Sequence, residues 1–390
     1  MPERMVDLAR TEMASKTLQG RDPISGKSVE ILIEKGIIRE ITPAPPGEDL
    51  WISPGFIDLQ VNGYAGCDLN AEFITPDLVM ELTQRLFAVG VTTFLPTVIT
   101  APEDRIIAAL RAIAEARHRS PLVRHVAPYV HVEGPHISAT DGPRGAHTRD
   151  HVRPPEIAEF ERWQAACGDL VGMVTVSPHH AQALPYIAHL VRRGCMVAIG
   201  HSDADPTRIH AAAEAGATLS THLGNGVAAE LPRHPNLLWA QLADDRLSAS
   251  FIGDGHHLSP DTLKAMLRAK GVDRSILVSD TVALAGSAPG CYRTAVGGAV
   301  ELTADGQIYI EGTETLAGAA LPLISGIANV ARLPGFSLQD AIRMATGNPG
   351  RFVRQRGVLQ VGASADLVQF RWAPGGEIEV VSLVVAGATP

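Results

Sequence analysis

The sequence predicts an α/β fold: a (β/α)8 TIM-like barrel with a small β-sandwich domain built from both termini. Three observations carry this. Residues 54–356 repeat a strand-then-helix rhythm over a length suited to such a barrel. The two ends, 1–53 and 357–390, read instead as short strands and turns. Polar residues then collect where the apolar runs of the middle end, at the mouth where barrels of this kind display their chemistry.

Each element follows in order. Residues 28–42, SVEILIEKGIIREIT, alternate apolar and polar positions about Lys35-Gly36, a hairpin pattern. The candidate barrel strands are 56–63, 92–100, 126–134, 170–178, 196–202, 217–225, 247–255 and 275–281. Helical patterns occupy 76–89, 103–117, 180–193 and 259–270, while 226–246 is less regular. A doubly wound sheet would compete, but no GxGxxG follows the first strand. Residues 357–386 return to strands and turns, which places them with the N-terminal hairpin.

A chain of 390 residues has room for two domains, or for one large barrel with an appendage. Apolar residues make up 45% and charged residues 19%, a balance that excludes a disordered chain. The formal charge of −9 argues against a nucleic-acid or anionic-membrane binder, although a single Arg can still hold a small phosphate. The four cysteines, Cys67, Cys167, Cys195 and Cys291, form no CxxC pair, which suits a reduced, cytoplasmic protein. The start, MPERMVDLARTEM, does not read as a signal peptide, and no apolar run is long enough to span a membrane.

Chemistry is predicted from the strand ends. Gln60 and Asn62 end strand one, Glu133 strand three, His201 strand five, His222 strand six, Asp254, His256 and His257 strand seven, and Asp280 strand eight. Two imidazoles and a carboxylate are a common ligand set for a catalytic divalent metal with a position left for water. Glu133, His201 and His222 supply that set, and Asp280 has the chemistry of a general base. The plainer alternatives are hydrogen-bonded structural histidines and a helix-cap aspartate. A binuclear site is not expected. Strand one reads Gln60-Val61-Asn62 rather than HxH, and none of the five lysines lies near a predicted mouth. One metal follows, with Gln60 and Asn62 near it or orienting water. Zinc, iron, cobalt and manganese all suit oxygen and imidazole ligands. His131, two residues before Glu133, shares its strand face and is expected beneath the metal or buried for packing.

These residues in this order resemble the N-acetylglucosamine-6-phosphate deacetylase family of the amidohydrolase superfamily. PGFIDLQVNG (54–63), HVEGPHI (131–137), GHSDA (200–204), THLGN (221–225), DGHHL (254–258), SDTVALAG (279–286) and ETLAGAAL (314–321) carry the resemblance. It implies hydrolysis of the acetamide of an N-acetylhexosamine 6-phosphate to acetate and the amino sugar. By that resemblance Glu133, His201 and His222 bind the metal, and Asp280 is base and then acid. His147 helps polarise the acetyl carbonyl and His257 contacts the sugar. Asn225, Gly226, Arg233 and Leu316 fall at substrate-binding positions, with the Arg supplied in some members by a neighbouring subunit, so a homodimer is implied.

The departures gather on the phosphate side: THLGNGV (221–227) where the family has THLFNAM or THLYNAM, PRHPN (232–236) for an HREPG-like run, and LAGAALPL (316–323) without the usual hydroxyl. They leave open a deacetylase of an unphosphorylated or differently substituted N-acyl amino sugar. A ring deaminase would need the missing HxH, and a non-catalytic scaffold would have no use for the intact Glu/His/His/Asp set.

Overall fold

The computed structural model describes residues 15–45, 47 and 50–390. The N-terminal stretch read for a signal peptide lies outside them. The barrel's eight parallel strands are Phe56–Val61, Val91–Ile99, Val130–Glu133, Val171–Val176, Met196–Ile199, Leu219–Ser220, Ser248–Ile252 and Ser275–Val278, hydrogen-bonded in that order. The longer ones are buried on both faces, as parallel strands sandwiched between a packed interior and a coat of helices must be. Ile57, Leu59, Leu95, Met173, Ala198, Leu219 and Ile276 fill one interior cluster. Phe56, Phe94, Val130, Val174 and Val197 face a larger cluster beneath the helices.

Closure between strands eight and one falls at the mouth. The Asp280 amide donates to Gln60 O at 3.0 Å and the Asn62 amide to Thr281 O at 2.9 Å. Between Asp58 and Val61 the register against strand two slips. Such an irregularity re-aims side chains locally, and both Gln60 and Asn62 reach Asp280 here.

The termini build one six-stranded sheet, in the order Glu379–Val384, Leu367–Arg371, Trp51–Pro54, Lys16–Arg21, Ser28–Glu34 and Ile37–Pro43. The C-terminal strand Leu367–Arg371 pairs antiparallel with Trp51–Pro54, which joins the two ends of the chain. The expected hairpin is its Ser28–Glu34 and Ile37–Pro43 pair.

Three details differ from the reading of the sequence. The helix predicted from residue 180 begins at Ala183, because His179 and His180 lie in a turn, with His179 Nδ1 2.6 Å from Ser177 Oγ. The irregular stretch 226–246 contains a short helix, Leu237–Ala243, capped by Asn236. After strand eight comes a three-stranded antiparallel sheet, Gly290–Thr294, Gly298–Leu302 and Ile308–Ile310, whose Val300, Leu302 and Ile308 pack on Val282 and Leu284.

Candidate active site

Glu133, His201 and His222 converge at the mouth, each at or just past the end of its strand and each buried. His201, His222 and Asp280 have φ of 48°, 29° and 53°. Left-handed backbone is strained for side chains of this kind and recurs where function fixes a geometry. Gly226 lies hard against His201: a Cβ there would sit 2.7 Å from Nδ1, with φ +57° strained besides.

The donor atoms form a tight triangle. His222 Nε2 lies 2.9 Å from Glu133 Oε1 and 3.1 Å from His201 Nε2, and His201 Nε2 lies 3.3 Å from Glu133 Oε1. The His201 Nδ1–H donates to Pro143 O at 2.8 Å, so its Nε2 presents a lone pair to the triangle. His222 Nδ1 is buried with no partner among the described residues. Two imidazole nitrogens and a carboxylate oxygen thus enclose a gap that only a proton or a cation can reconcile. Three ligands of one tetrahedral ion bound at ~2.0–2.2 Å stand ~3.3–3.6 Å apart, so these donors need open by only a few tenths of an ångström to share one. The residues present therefore fit a divalent metal.

His147 joins from the side. Its ring is 4.3 Å from that of His201, and one donor atom each from Glu133, His147 and His201 lie within 4.8 Å of one another. The triangle with His222 is tighter and forms the better ligand set. His147 Nδ1 is instead tied to Thr100 Oγ1 at 2.8 Å. Burial, then the neighbouring His201, lowers the His147 pKa to about 3, so the ring is neutral and can donate one N–H.

Asp280 Oδ1 accepts from Gln60 Nε2 at 2.9 Å and from Asn62 Nδ2 at 2.7 Å, whereas its Oδ2 has no donor among the described residues. Gln60 Nε2 also donates to Glu133 Oε1 at 2.9 Å, so one amide ties the two carboxylates together. Burial, and then the charge of Glu133, raises the Asp280 pKa to about 6. Burial also opposes the charge on Glu133, but the His201 and His222 hydrogen bonds hold it well below the usual carboxylate range.

Beneath the mouth, His131 Nδ1–H donates to Leu59 O at 3.2 Å and Nε2 accepts from Thr175 Oγ1 at 2.8 Å. Both ring nitrogens are satisfied within the barrel wall, which makes His131 a brace for the strand bearing Glu133.

A cavity of about 280 Å³ opens over these groups. Asn62, Glu133, His147, His201, His222, Asn225, Gly226, His257, Asp280 and Leu316 line it. His257 Nδ1 is held by Asp254 Oδ2 at 2.7 Å. Arg233 is exposed in the segment between Gly226 and the helix Leu237–Ala243 and does not line the cavity. Thr100 escaped the reading of the sequence, since nothing distinguishes it from the other threonines of TTFLPTVIT. Val296, contributed by the late sheet, and Glu314 also line the cavity.

Residues 51–387 match the model of the Amidohydrolase family. The chain is 31% identical over 326 residues to the N-acetylglucosamine-6-phosphate deacetylase of Bacillus subtilis, covering 82% of this chain and 80% of that protein. It is also 31% identical over 335 residues to the N-acetylgalactosamine-6-phosphate deacetylase of Escherichia coli O157:H7, covering 85% and 86%. Among solved structures, it is similar to a mutant of the Mycobacterium smegmatis N-acetyl-D-glucosamine-6-phosphate deacetylase in complex with N-acetyl-D-glucosamine-6-phosphate. That likeness has a TM-score of 0.86 and 27% identity over 96% of this chain and 99% of the other.

Proposed function

The chain belongs to the amidohydrolase family, and from that premise we propose that it hydrolyses the acetamide of N-acetylglucosamine 6-phosphate to glucosamine 6-phosphate and acetate. The observation that carries the reading is the Glu133–His201–His222 triangle beside the free Oδ2 of Asp280. The deacetylase relatives support the substrate class.

Glu133, His201 and His222 would hold one divalent metal ion, zinc before iron, cobalt or manganese. Such an ion, when bound, lowers the pKa of a water towards ~7 and polarises an acyl oxygen. Asp280 Oδ2 takes the proton of the attacking water. Gln60 and Asn62 hold the other oxygen, so the proton arrives on the oxygen that faces the cavity. Asp280 then gives that proton to the departing amine as the C–N bond breaks, leaving acetate and the free amino sugar. His147, its Nδ1 fixed by Thr100, directs Nε2 at the carbonyl oxygen. His257, held by Asp254, Asn225, Gly226 and Leu316 form the sugar side. We further infer a homodimer in the cytoplasm, with Arg233 of the partner subunit on the phosphate. The resemblance to the family and the exposed place of Arg233 support the dimer. Four unpaired cysteines support the compartment.

A second reading, deacetylation of an unphosphorylated or differently substituted N-acyl amino sugar, is favoured by one observation: no Lys or Arg is among the residues lining the cavity. The deciding experiment is acetate release from N-acetylglucosamine 6-phosphate, N-acetylgalactosamine 6-phosphate and free N-acetylglucosamine, with bound metal quantified. Turnover of the first, dependent on metal, is expected. Comparable kcat/KM on the free sugar would favour the second reading, and no turnover of any would sink both.

A further inference from the structure

The opposite mouth of the barrel holds a second cavity, of about 300 Å³, against the terminal sheet. It lies at the starts of strands one and two, where Gly55 and Thr92 line it, and so at the far end of the strands from Glu133 and Asp280. His125, Arg354, Arg356 and Asp366 complete its wall.

Positive charge is concentrated there, in a chain whose formal charge is −9, with Asp366 as the one carboxylate of the lining, close enough to Arg356 for each to feel the other's charge. Arg117 and Arg124 adjoin Arg354 and Arg356, and none of the four forms an ion pair within 4 Å among the described residues. The strain shows on Arg117: burial, then the charges of Arg354, Arg124 and Arg356, lowers its pKa to about 10. The one carboxylate of the wall, Asp366, is already taken. His125 Nε2 sits 2.9 and 3.0 Å from its oxygens, and the Ala386 amide donates to Oδ1 at 2.8 Å.

The arginines keep donors in reserve. Arg356 uses Nη1 on Thr93 Oγ1 and on His125 O, at 3.1 and 2.7 Å. Arg354 uses only Nε, on the Tyr129 hydroxyl at 3.2 Å, with its guanidinium 5.2 Å from the centre of that ring. Nε and Nη2 of Arg356 and both Nη atoms of Arg354 have no acceptor among the described residues. The backbone that presents them is strained, with φ of 61° at Arg354 and 56° at Gln355, two successive left-handed residues that are not glycine. Packing alone does not call for two guanidiniums held by strained backbone at the rim of a cavity.

We propose that this cavity is an anion site that takes a small phosphate, inorganic or as a monoester, on the free donors of Arg354 and Arg356. Two guanidiniums match the oxygens of a phosphate, and a dianion there replaces repulsion with charge-assisted hydrogen bonds. Its occupant would bridge the barrel floor and the terminal sheet.

Thermal unfolding of the metal-loaded full chain tests this, in sodium phosphate against sodium chloride and sodium acetate at matched ionic strength. Parallel arms use glucosamine 6-phosphate and glucosamine. At ~100-fold excess over its dissociation constant the phosphate should raise Tm by about 3–5 °C. Arg354→Gln should abolish that shift while leaving acetate release unchanged, because Arg354 lies far from the catalytic mouth. An Arg354-dependent shift with the sugar phosphate alone assigns the site to an ester, and one with both assigns it to phosphate in general. Glucosamine 6-phosphate also binds the catalytic mouth as product, so only the Arg354-dependent part of its shift reports on this cavity. No shift beyond chloride with inorganic phosphate together with no Arg354-dependent part in the sugar-phosphate arm, or an inorganic-phosphate shift unchanged in Arg354→Gln, overturns the proposal. Arg356→Lys keeps the charge but loses the fork, and should weaken binding at least tenfold by calorimetry. Unchanged affinity there counts equally against the site.

Discussion

His201 Nε2 stands 3.1 Å from His222 Nε2, and the first of these has its proton committed on the other side of the ring, to Pro143 O. Two imidazoles brought this close cannot both offer lone pairs without something positive between them, and Glu133 Oε1 closes the third side. In a pocket this well buried, losing that positive occupant leaves an uncompensated set of polar atoms.

Removal of metal is therefore expected to abolish activity and to destabilise the fold together. Dialysis against a strong chelator should lower both acetate release and Tm, and one equivalent of divalent ion per chain should restore both. Restoration only at two equivalents would mean a binuclear centre and would contradict the single triangle. Glu133→Gln should lower metal affinity by at least ~10-fold, read by metal content after gel filtration.

Asp280→Asn is expected to keep the metal and lose turnover. Its Oδ1 could still accept from Gln60 and Asn62, but the amide cannot take a proton. A fall in kcat of ~10²–10⁴ should appear with metal content unchanged. Wild-type rates in the variant would remove Asp280 from the reaction.

Thr100→Val tests the tether on His147. The hydroxyl sits 2.8 Å from Nδ1 and fixes which ring nitrogen faces the cavity. Without it kcat should fall by ~10-fold with little change in KM, and Thr100→Ser should recover most of the loss. Equal losses in both variants would point to packing rather than to the hydrogen bond.

The places where the sequence was legible and where it was not separate along physical lines. Glu133, His201, His222 and Asp280 were legible because an apolar run ending in a metal-capable residue is uncommon, and a barrel gathers strand ends in one place. The left-handed backbone at three of those residues has only a weak signal in residue type: His and Asp are enriched in that region, but most of them adopt ordinary backbone, so the position could not be read. Strand six forms only Leu219–Ser220, so the pattern read over 217–225 overstated its length. The sheet at 290–310 went unread because its strands are three to five residues long and half exposed, too short for periodicity to register. Yet it brings Val296 to the lining of the cavity.

Acid should weaken the fold through His136, which follows Glu133 by three residues but does not line the cavity. Its ring is fully buried, stacks on Trp163 at 5.5 Å, meets Tyr186 edge-on and donates from Nδ1 to Arg153 O at 3.3 Å. Glu159 and Arg153, paired with each other, and His180 are the charged or titratable groups around it. Burial lowers its pKa to about 3 from the ordinary 6.5. The unfolded chain thus binds a proton below pH 6.5 that the folded chain refuses, and stability falls as pH drops from 6.5 towards 3. The slope from this group is ~1.4 kcal/mol per pH unit, or ~2 kcal/mol between pH 6.5 and 5. Urea unfolding at pH 7 and pH 5 should show His136→Phe losing less stability over that interval than wild type by about this amount. Parallel pH dependences in the two proteins would mean the ring is protonated in the fold.

Arg233 offers the last prediction, because its position separates two routes to phosphate recognition. It is exposed and does not line the cavity of its own chain, so the proposed contact with the phosphate would come from a neighbouring copy. Arg233→Ala should raise KM for N-acetylglucosamine 6-phosphate at least tenfold and leave free N-acetylglucosamine little changed, consistent with losing a charge-assisted pair. Mixing Arg233→Ala with Asp280→Asn chains then reports the geometry. A mixed dimer has one site with an intact Asp280 and a partner bearing Arg233. If the arginine acts across a two-fold interface, an equimolar mixture regains about a quarter of wild-type activity at low substrate, since half the dimers are mixed and each holds one complete site. If it acts within its own chain, or has no part in binding, mixing restores nothing beyond the sum of the two variants.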